Sequence, residues 1–425
     1  MRWTRAFLLL AFAVFAINFN HGITQSIQTN FFKQDLGMAG AQMGMMTAGR
    51  EFMGFIIVAL AALTMRFAPA KVAGASVILM AVGFAGYSRA QDFGSLMPAV
   101  FIGSIGFHGW TQLYYTLGLS LAEPGEEGRV MGRLSRIASL GTLAAMVVTF
   151  LIVTVVGMRG MFLVSACVVT AGGIGLLMMP PLRGVLRQQA FVLRKKYWLF
   201  YVLNFLDGCR FEIFQTFALF ALVDVYGVSV QAITGLLIFN AVTNWWVAPK
   251  FGKLVDTRGE RWVLTMTYTM HTIAFVGFGL FNMRFVLFGA SLLGIPSDRV
   301  DVDMAKLVII GLLMAMYVLA RIFIISGMSI NTYLRKIAEP EDLSPSLAMG
   351  VSMSHIAAIF VPITAGILWQ TFGYEVSFFF GACFVVMSLF FTQLIRVTDY
   401  RPEYQELHAA AEAQRLARRA RPGLA

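Results

Sequence analysis

Long apolar runs recur from one end of the chain to the other, broken by short polar stretches. Each run holds roughly 20 residues, enough for a helix rising about 1.5 Å per residue to cross a hydrocarbon core of about 30 Å. Lipid offers the backbone no hydrogen bonds, so only helices or closed barrels cross it, and these runs are far too long for barrel strands. The pattern predicts an all-α membrane protein with twelve transmembrane helices, the first six at 6–31, 43–65, 70–88, 94–121, 131–156 and 160–180. The second six are expected at 197–223, 229–249, 262–281, 306–331, 348–369 and 374–396. The connection from Asn282 to Ala305 breaks the pattern, because its part 284–295 is apolar but too short to span. It reads as an extension of the ninth helix or as an interfacial segment, followed by an acidic loop with Asp298, Asp301 and Asp303.

A basic stretch, PPLRGVLRQQAFVLRKKY, divides six predicted helices from six. The expected organisation is an N-terminal bundle over 1–180, a cytoplasmic linker over 181–196, a C-terminal bundle over 197–398 and a basic tail over 399–425. The halves echo each other. Helix 1 carries Asn18-Phe19-Asn20-His21-Gly22 and helix 7 carries Asn204-Phe205-Leu206-Asp207-Gly208. Ala122-Glu123-Pro124 likewise returns as Ala338-Glu339-Pro340. A parallel repeat of six-helix units is a signature of transporter architecture.

Charge refines this picture. The chain has 33 Lys and Arg against 22 Asp and Glu, an excess that could mark a nucleic-acid surface. Its placement excludes that reading. With the N-terminus cytoplasmic, the basic residues crowd the cytoplasmic loops, and the outer side keeps only Lys33, Arg89, Arg159, Arg284, Arg299 and Lys306. This is the positive-inside asymmetry, with both termini cytoplasmic and no nucleic-acid partner. The opening MRWTRAFLLLAFAVF also resembles a signal peptide, but its counterpart in helix 7 argues for a retained span. Cys167, Cys209 and Cys383 all lie in predicted spans, and no CxxC spacing occurs.

The loop after helix 8 reads Gly252-Lys253-Leu254-Val255-Asp256-Thr257-Arg258-Gly259-Glu260-Arg261. It resembles G-x-L-x-D-R-x-G-R-R, the loop motif of the major facilitator superfamily. The resemblance implies a cytoplasmic latch at Gly252, Asp256, Arg258, Gly259 and Arg261, with Arg258 displaced by one from the motif. The alternative is a basic loop that only sets topology. The counterpart between helices 2 and 3 is degenerate, with Met65 where the motif has Asp. The resemblance also implies alternating access around a site between the halves.

A charge at the bilayer centre costs about 2.5–3.5 kcal/mol on insertion scales, so the few polar residues inside the spans are the informative ones. Asn18, His21, Gln25 and Gln28 recur at helical spacing and make one polar face of helix 1. On helix 7, Asn204, Asp207 and Gln215 take nearly the same angular positions. Such faces line a cavity or stack interhelical hydrogen bonds. Asp207 and Arg210 are three apart, within pairing reach, with Glu212 to one side. Arg50 and Glu51 are adjacent and point about 100° apart, so each is expected to find its partner on another helix. They serve either a protonation site or a static buried network. Helix 4 presents His108, Gln112 and Tyr115, and helix 8 presents Asn240 and Asn244 ahead of Trp245 and Trp246. Arg321 suits an anionic solute or an acid on a neighbouring helix, and His355 lies one turn from Ser352.

Resemblance and polar faces together imply a secondary active transporter in a bacterial inner membrane. It moves a small polar or amphipathic organic solute by alternating access, as a monomer coupled to protons. Glu51, Asp207 and Glu212 are the candidate proton carriers, and the remaining polar residues named above, with Arg50, Arg210 and Arg321, are candidate solute contacts. Alternatives are a drug or metabolite efflux pump, a lipid flippase, and a non-transporting sensor or assembly factor. No nucleophile elbow, phosphate-binding loop or zinc-spaced set occurs, so neither enzyme chemistry nor a cofactor or metal is expected. The Met43, Met45 and Met46 cluster reads as flexible apolar filler.

Overall fold

Capping residues mark where the apolar runs become helices. Thr4 accepts from the Phe7 amide at 3.2 Å and opens the first helix. Asp92 and Ser95 form a reciprocal capping box that opens the fourth, and the Ser95 amide holds the Asp92 carboxyl below its ordinary range. The computed structural model describes residues 4–64, 67–123, 126–180, 193–324 and 326–419. Met65, Arg66, most of the expected linker and the end of the tail lie outside the described residues, as do the side chains of Lys253 and Asp256.

Every long regular element among these residues is helical. The first five helices are α1 (Arg5–Asn30), α2 (Gly40–Thr64), α3 (Pro69–Tyr87), α4 (Phe93–Ser120) and α5 (Glu127–Leu177). After the linker come α6 (Trp198–Asp224), α7 (Val230–Arg258), α8 (Glu260–Leu280), α9 (Met283–Leu292) and α10 (Val302–Ile322). The chain closes with α11 (Ser326–Ile337), α12 (Pro340–Phe372), α13 (Tyr374–Thr392) and α14 (Pro402–Arg419). Seven of the described helices are long and apolar enough to cross a membrane: α1, α3, α5, α8, α10, α12 and α13. The four other long ones, α2, α4, α6 and α7, carry many of the intramembrane polar residues singled out above.

The fifth and sixth expected spans both form, as two helical runs of α5 that part at Gly157, whose non-helical φ of 72° and ψ of 163° suit a residue without a Cβ. Elsewhere the structure refines the expectations. The segment after Leu280 does not extend α8. Asn282 accepts from the Phe285 amide at 2.9 Å and starts a separate helix, α9. The expected 306–331 helix ends at Ile322, one residue past Arg321, and α11 begins at Ser326.

The chain packs as two units. The first takes α1 to α5 with Thr216–Ala241 and Pro362–Thr371. Its core sets Phe7, Leu10, Val14 and Ile17 of α1 among Val77, Leu134, Val169 and Leu176. The second unit takes α6 as far as Gln215, Val242–Val361 and the chain from Phe372. There Phe214 meets Phe275 at 5.5 Å and Tyr317 at 5.6 Å, while Phe278 stacks on Phe378 at 4.6 Å. Offset and edge-on rings of this kind fill the space between helices whose backbones cannot approach closely.

Candidate functional site

In the second unit, α6, α8 and α10 bring a polar cluster together inside an aromatic core. Arg210 is only 1% exposed and pairs with Asp207 at 2.5 Å, as their spacing predicts. The hydroxyl of Tyr268 reaches Asp207 at 3.4 Å, and the Arg210 guanidinium lies 5.9 Å from the Tyr268 ring. One turn along α8, the His271 ring contacts the Thr267 carbonyl at 2.8 Å and has the Ala320 carbonyl of α10 as a further partner. Next to Ala320, Arg321 donates to Gln215 Oε1 at 3.1 Å. Arg321 stands in the last turn of α10, where free carbonyls favour a cation. It meets an amide there rather than an acid. Glu212 is buried, 7% exposed, on the same helix as Asp207. Asn204 turns back to the Phe200 carbonyl at 2.8 Å, and Asn244 and His355 are half-buried. Tyr268 and His271 were missed by the sequence reading. Their signal was present, since both are ionisable groups inside an apolar span.

In the first unit, Arg50 and Glu51 pair with each other in addition to meeting other groups, Nη2 to Oε1 at 2.9 Å and Nε to Oε1 at 3.0 Å, a mutual pair that their divergent positions on the helix did not suggest. Adjacent Cβ atoms diverge, but the Arg side chain is long enough to curl back along the helix surface. The Ser104 hydroxyl of α4 fixes the same turn through the Arg50 carbonyl at 2.5 Å. His108 is buried with its ring against Gly54. Gln112 and Tyr115, the latter 63% exposed, lie on open surface of α4. The four predicted α1 residues stay partly open: Asn18, Gln25 and Gln28 half-buried, His21 exposed. Gln25 and His21 join through their side-chain nitrogens at 2.8 Å. Asn20, Thr24, Ser26 and Asn30 form the buried side instead. Asn240 is buried in the same unit.

A second cluster in the first unit escaped the sequence reading. A π-helical turn, Phe31–Asp35, ends α1 and presents Lys33 and Asp35. Lys33 pairs with Asp224 at 2.5 Å, Trp369 donates its indole N–H to the same carboxylate at 3.2 Å, and Asn30 donates to the Val228 carbonyl at 2.8 Å. Trp369 packs on Phe217 and Phe220 at 5.4 and 5.1 Å. Beneath it, α2 and α12 approach backbone to backbone. A Cβ on Gly44 would overlap the Pro362 carbonyl, and one on Gly40 would strike the Trp369 ring. Small residues four apart permit such approach between membrane helices.

The motif expected as a loop is mostly helical, because α7 runs through to Arg258 and leaves only Gly259, at φ 79°, between it and α8. Arg261 donates twice to Gln393 Oε1, at 3.3 and 3.2 Å, and Arg258 lies 5.0 Å from the Trp262 ring.

A family model described as Major Facilitator Superfamily matches residues 10–300. No curated protein matches the chain in sequence. Among solved structures, the chain is similar to the nucleoside transporter NupG, with a TM-score of 0.69 and 14% identity over 92% of this chain and 99% of that one. A bacterial homolog of the human lysosomal transporter Spinster gives 0.68 and 15%, over 94% and 99%. A D-xylose-proton symporter gives 0.66 and 15%, over 91% and 96%. At such identities the likeness is one of fold.

Proposed function

This chain belongs to the major facilitator superfamily, and from that premise we propose that it is a proton-coupled secondary transporter of a small polar organic solute. The reading takes the chain as twelve spans in two six-helix repeats, both termini cytoplasmic, in a bacterial inner membrane. One observation carries it: an acid, two arginines, a tyrosine and a histidine converge within apolar helices at Asp207, Arg210, Arg321, Tyr268 and His271. Charges held at membrane depth mark solute or proton paths. Asp207 is the proton carrier, and Arg210 sets its charge. Arg321 has no acid partner among the described residues and is the group offered to an anionic or strongly accepting part of the solute.

Alternating access is supported by the Lys33, Asp224 and Trp369 contact. In the two-repeat reading this contact joins helices of both repeats on the outer side, through groups that can part and re-form. The pair is half-buried rather than sealed in the core, so breaking it is within reach of a solute's binding energy.

The test starts from purified full-length protein. Nucleosides, pentoses, organic acids, amino acids and organic cations are screened by thermal shift at pH 5.5 and 8, since a ligand at about 100 times its Kd adds about 2.7 kcal/mol. The hit is then followed as radiolabelled uptake into proteoliposomes under a proton gradient. Gradient-driven uptake in the wild type that Asp207→Asn abolishes, with solute exchange retained, is expected. Equal gradient-driven uptake in Asp207→Asn would remove Asp207 from coupling, and no stabilising solute in any class would count against the transporter reading.

A further inference from the structure

Where the N-terminus of α8 and the C-terminus of α13 meet, a cleft of about 650 Å³ opens, walled by Arg258, Arg261, Arg396, Trp262, Gln393 and Thr398. Its floor is fixed by the chain leaving α13. Tyr400, buried, donates its hydroxyl to Glu260 Oε2 at 2.8 Å. Glu260 is fully buried, and its other oxygen takes Lys336 at 2.7 Å, so the carboxylate that lines the cleft among the described residues is already neutralised. Arg401 ties the strap down by donating its amide to the Lys336 carbonyl at 2.8 Å. On the opposite wall Gln393 accepts from Arg261 and donates to Thr265 at 2.9 Å, which orients the Arg261 fork.

Among the described residues none of Arg258, Arg261 and Arg396 has an ion pair. Arg258 has an aromatic face and Arg261 an amide. Three guanidinium groups around one cleft repel one another unless an anion sits between them. Planar guanidinium forks match phosphate oxygens in pairs, better than a point charge would. Both α8 and α13 are apolar enough to span a membrane, so the cleft lies where two spans leave the bilayer, at headgroup level. Trp262, 41% exposed beside it, is the residue type that settles in that layer.

We infer that this cleft is a phosphate-binding site, and its level in the bilayer points to the phosphate of an anionic lipid headgroup. The site is separate from the Asp207 cluster, and its occupancy does not depend on the solute carried. A bound headgroup ties the loop motif to the tail strap, because Arg258 and Arg261 belong to the one and Arg396 to the other.

The experiment uses the full chain in a neutral detergent, titrated with phosphatidylglycerol, phosphatidylcholine or sodium pyrophosphate, with unfolding temperature and native mass spectrometry as readouts. Phosphatidylglycerol is expected to raise the unfolding temperature and remain bound, while phosphatidylcholine does neither. Arg261→Gln/Arg396→Gln is expected to weaken phosphatidylglycerol about tenfold or more, in line with the loss of about 1.4 kcal/mol or more. Arg396→Gln alone, at an exposed position, is the variant whose folding is least at risk, and it is expected to show part of that loss. Arg136→Gln removes an exposed charge elsewhere and is expected to bind as the wild type does. A response to pyrophosphate alone, lost in the double variant, keeps the phosphate site and makes its ligand soluble. Equal phosphatidylglycerol binding by the wild type and Arg261→Gln/Arg396→Gln would overturn the site, and so would an equal loss in Arg136→Gln.

Discussion

Arg210 shows how much one buried side chain commits its surroundings. A guanidinium that is 1% exposed requires a counter-charge, and Asp207 supplies it from the same helix face. Replacing Asp207 by Asn leaves that charge buried without its carboxylate, a change that costs about 3–5 kcal/mol where it has been measured. We expect Asp207→Asn to lower the unfolding temperature while the protein stays folded at the temperature of the transport assay, and Asp207→Asn/Arg210→Gln to recover a good part of the loss. If the double variant is as unstable as the single one, the pair is not what holds this turn. Arg321 behaves differently because its partner is neutral. Arg321→Gln is therefore expected to change folding stability by no more than about 1 kcal/mol while weakening solute binding about tenfold or more. Thermal unfolding measures the first effect, and isothermal titration with the solute from the screen measures the second.

Two contacts between elements decide how the helices move or stay. Gly40 and Gly44 let α2 lie on α12 beneath Trp369. Thr216 is buried and its hydroxyl meets that of Thr47, three residues past Gly44 on α2, at 3.3 Å, so in a variant without Cys167, Cys209 and Cys383 a Thr216→Cys thiol is expected to resist a membrane-impermeant reagent. Adding Gly44→Leu holds the helices apart and is expected to raise its labelling rate about tenfold, the effect of shifting a two-state equilibrium by about 1.4 kcal/mol. Unchanged labelling would mean that this end is sealed elsewhere. At the other contact, Asp342 in the first turn of α12 takes Lys196 at 2.8 Å and Arg194 at 3.1 Å, with the Tyr197 hydroxyl donating at 3.0 Å. Lys196 chiefly, then Tyr197 and Arg194, hold the Asp342 carboxyl below its ordinary range, and Asp342 and Glu339 raise the Lys196 ammonium above its own. A depressed acid stabilises the fold above its unfolded value of about 3.9 and loses that contribution as pH falls through its folded value. A raised amine stabilises below about 10.4 and loses it as pH climbs through its folded value. The unfolding-temperature gap between wild type and Asp342→Asn is therefore expected to be flat from about pH 5 to 9 and to shrink toward pH 3.

For the molecule as a whole, membrane embedding was legible along the chain because it depends on local quantities. A run either is long and apolar enough to satisfy its own backbone in lipid or is not, and the predicted spans agree with the helix bounds to within a few residues for α1 to α4, α6, α8 and α13, whereas α7 runs nine residues past its expected end and α12 begins eight before its expected start. Capping and turn residues refine this locally, which is why Asn282 makes α9 a separate helix although the apolar pattern allowed an extension. The Asp207–Arg210 pair was legible for the same reason, since i and i+3 meet on any helix. The family resemblance rested on a ten-residue loop and a repeat, both linear features. Partners across helices were not legible. Nothing near Lys33 points to Asp224, nothing near Gly44 points to Pro362, and the neighbours of Arg321 do not announce Gln215 or His271. These meetings depend on how helices distant in sequence pack sideways, which the fit of side chains over the whole bundle sets. Lateral packing also brought three arginines from two stretches distant in sequence around one cleft. Periodicity and length reported what each helix is and which face is polar; the packing of helix on helix chose which polar groups share a site, because in lipid a buried charge has only its neighbours to answer it.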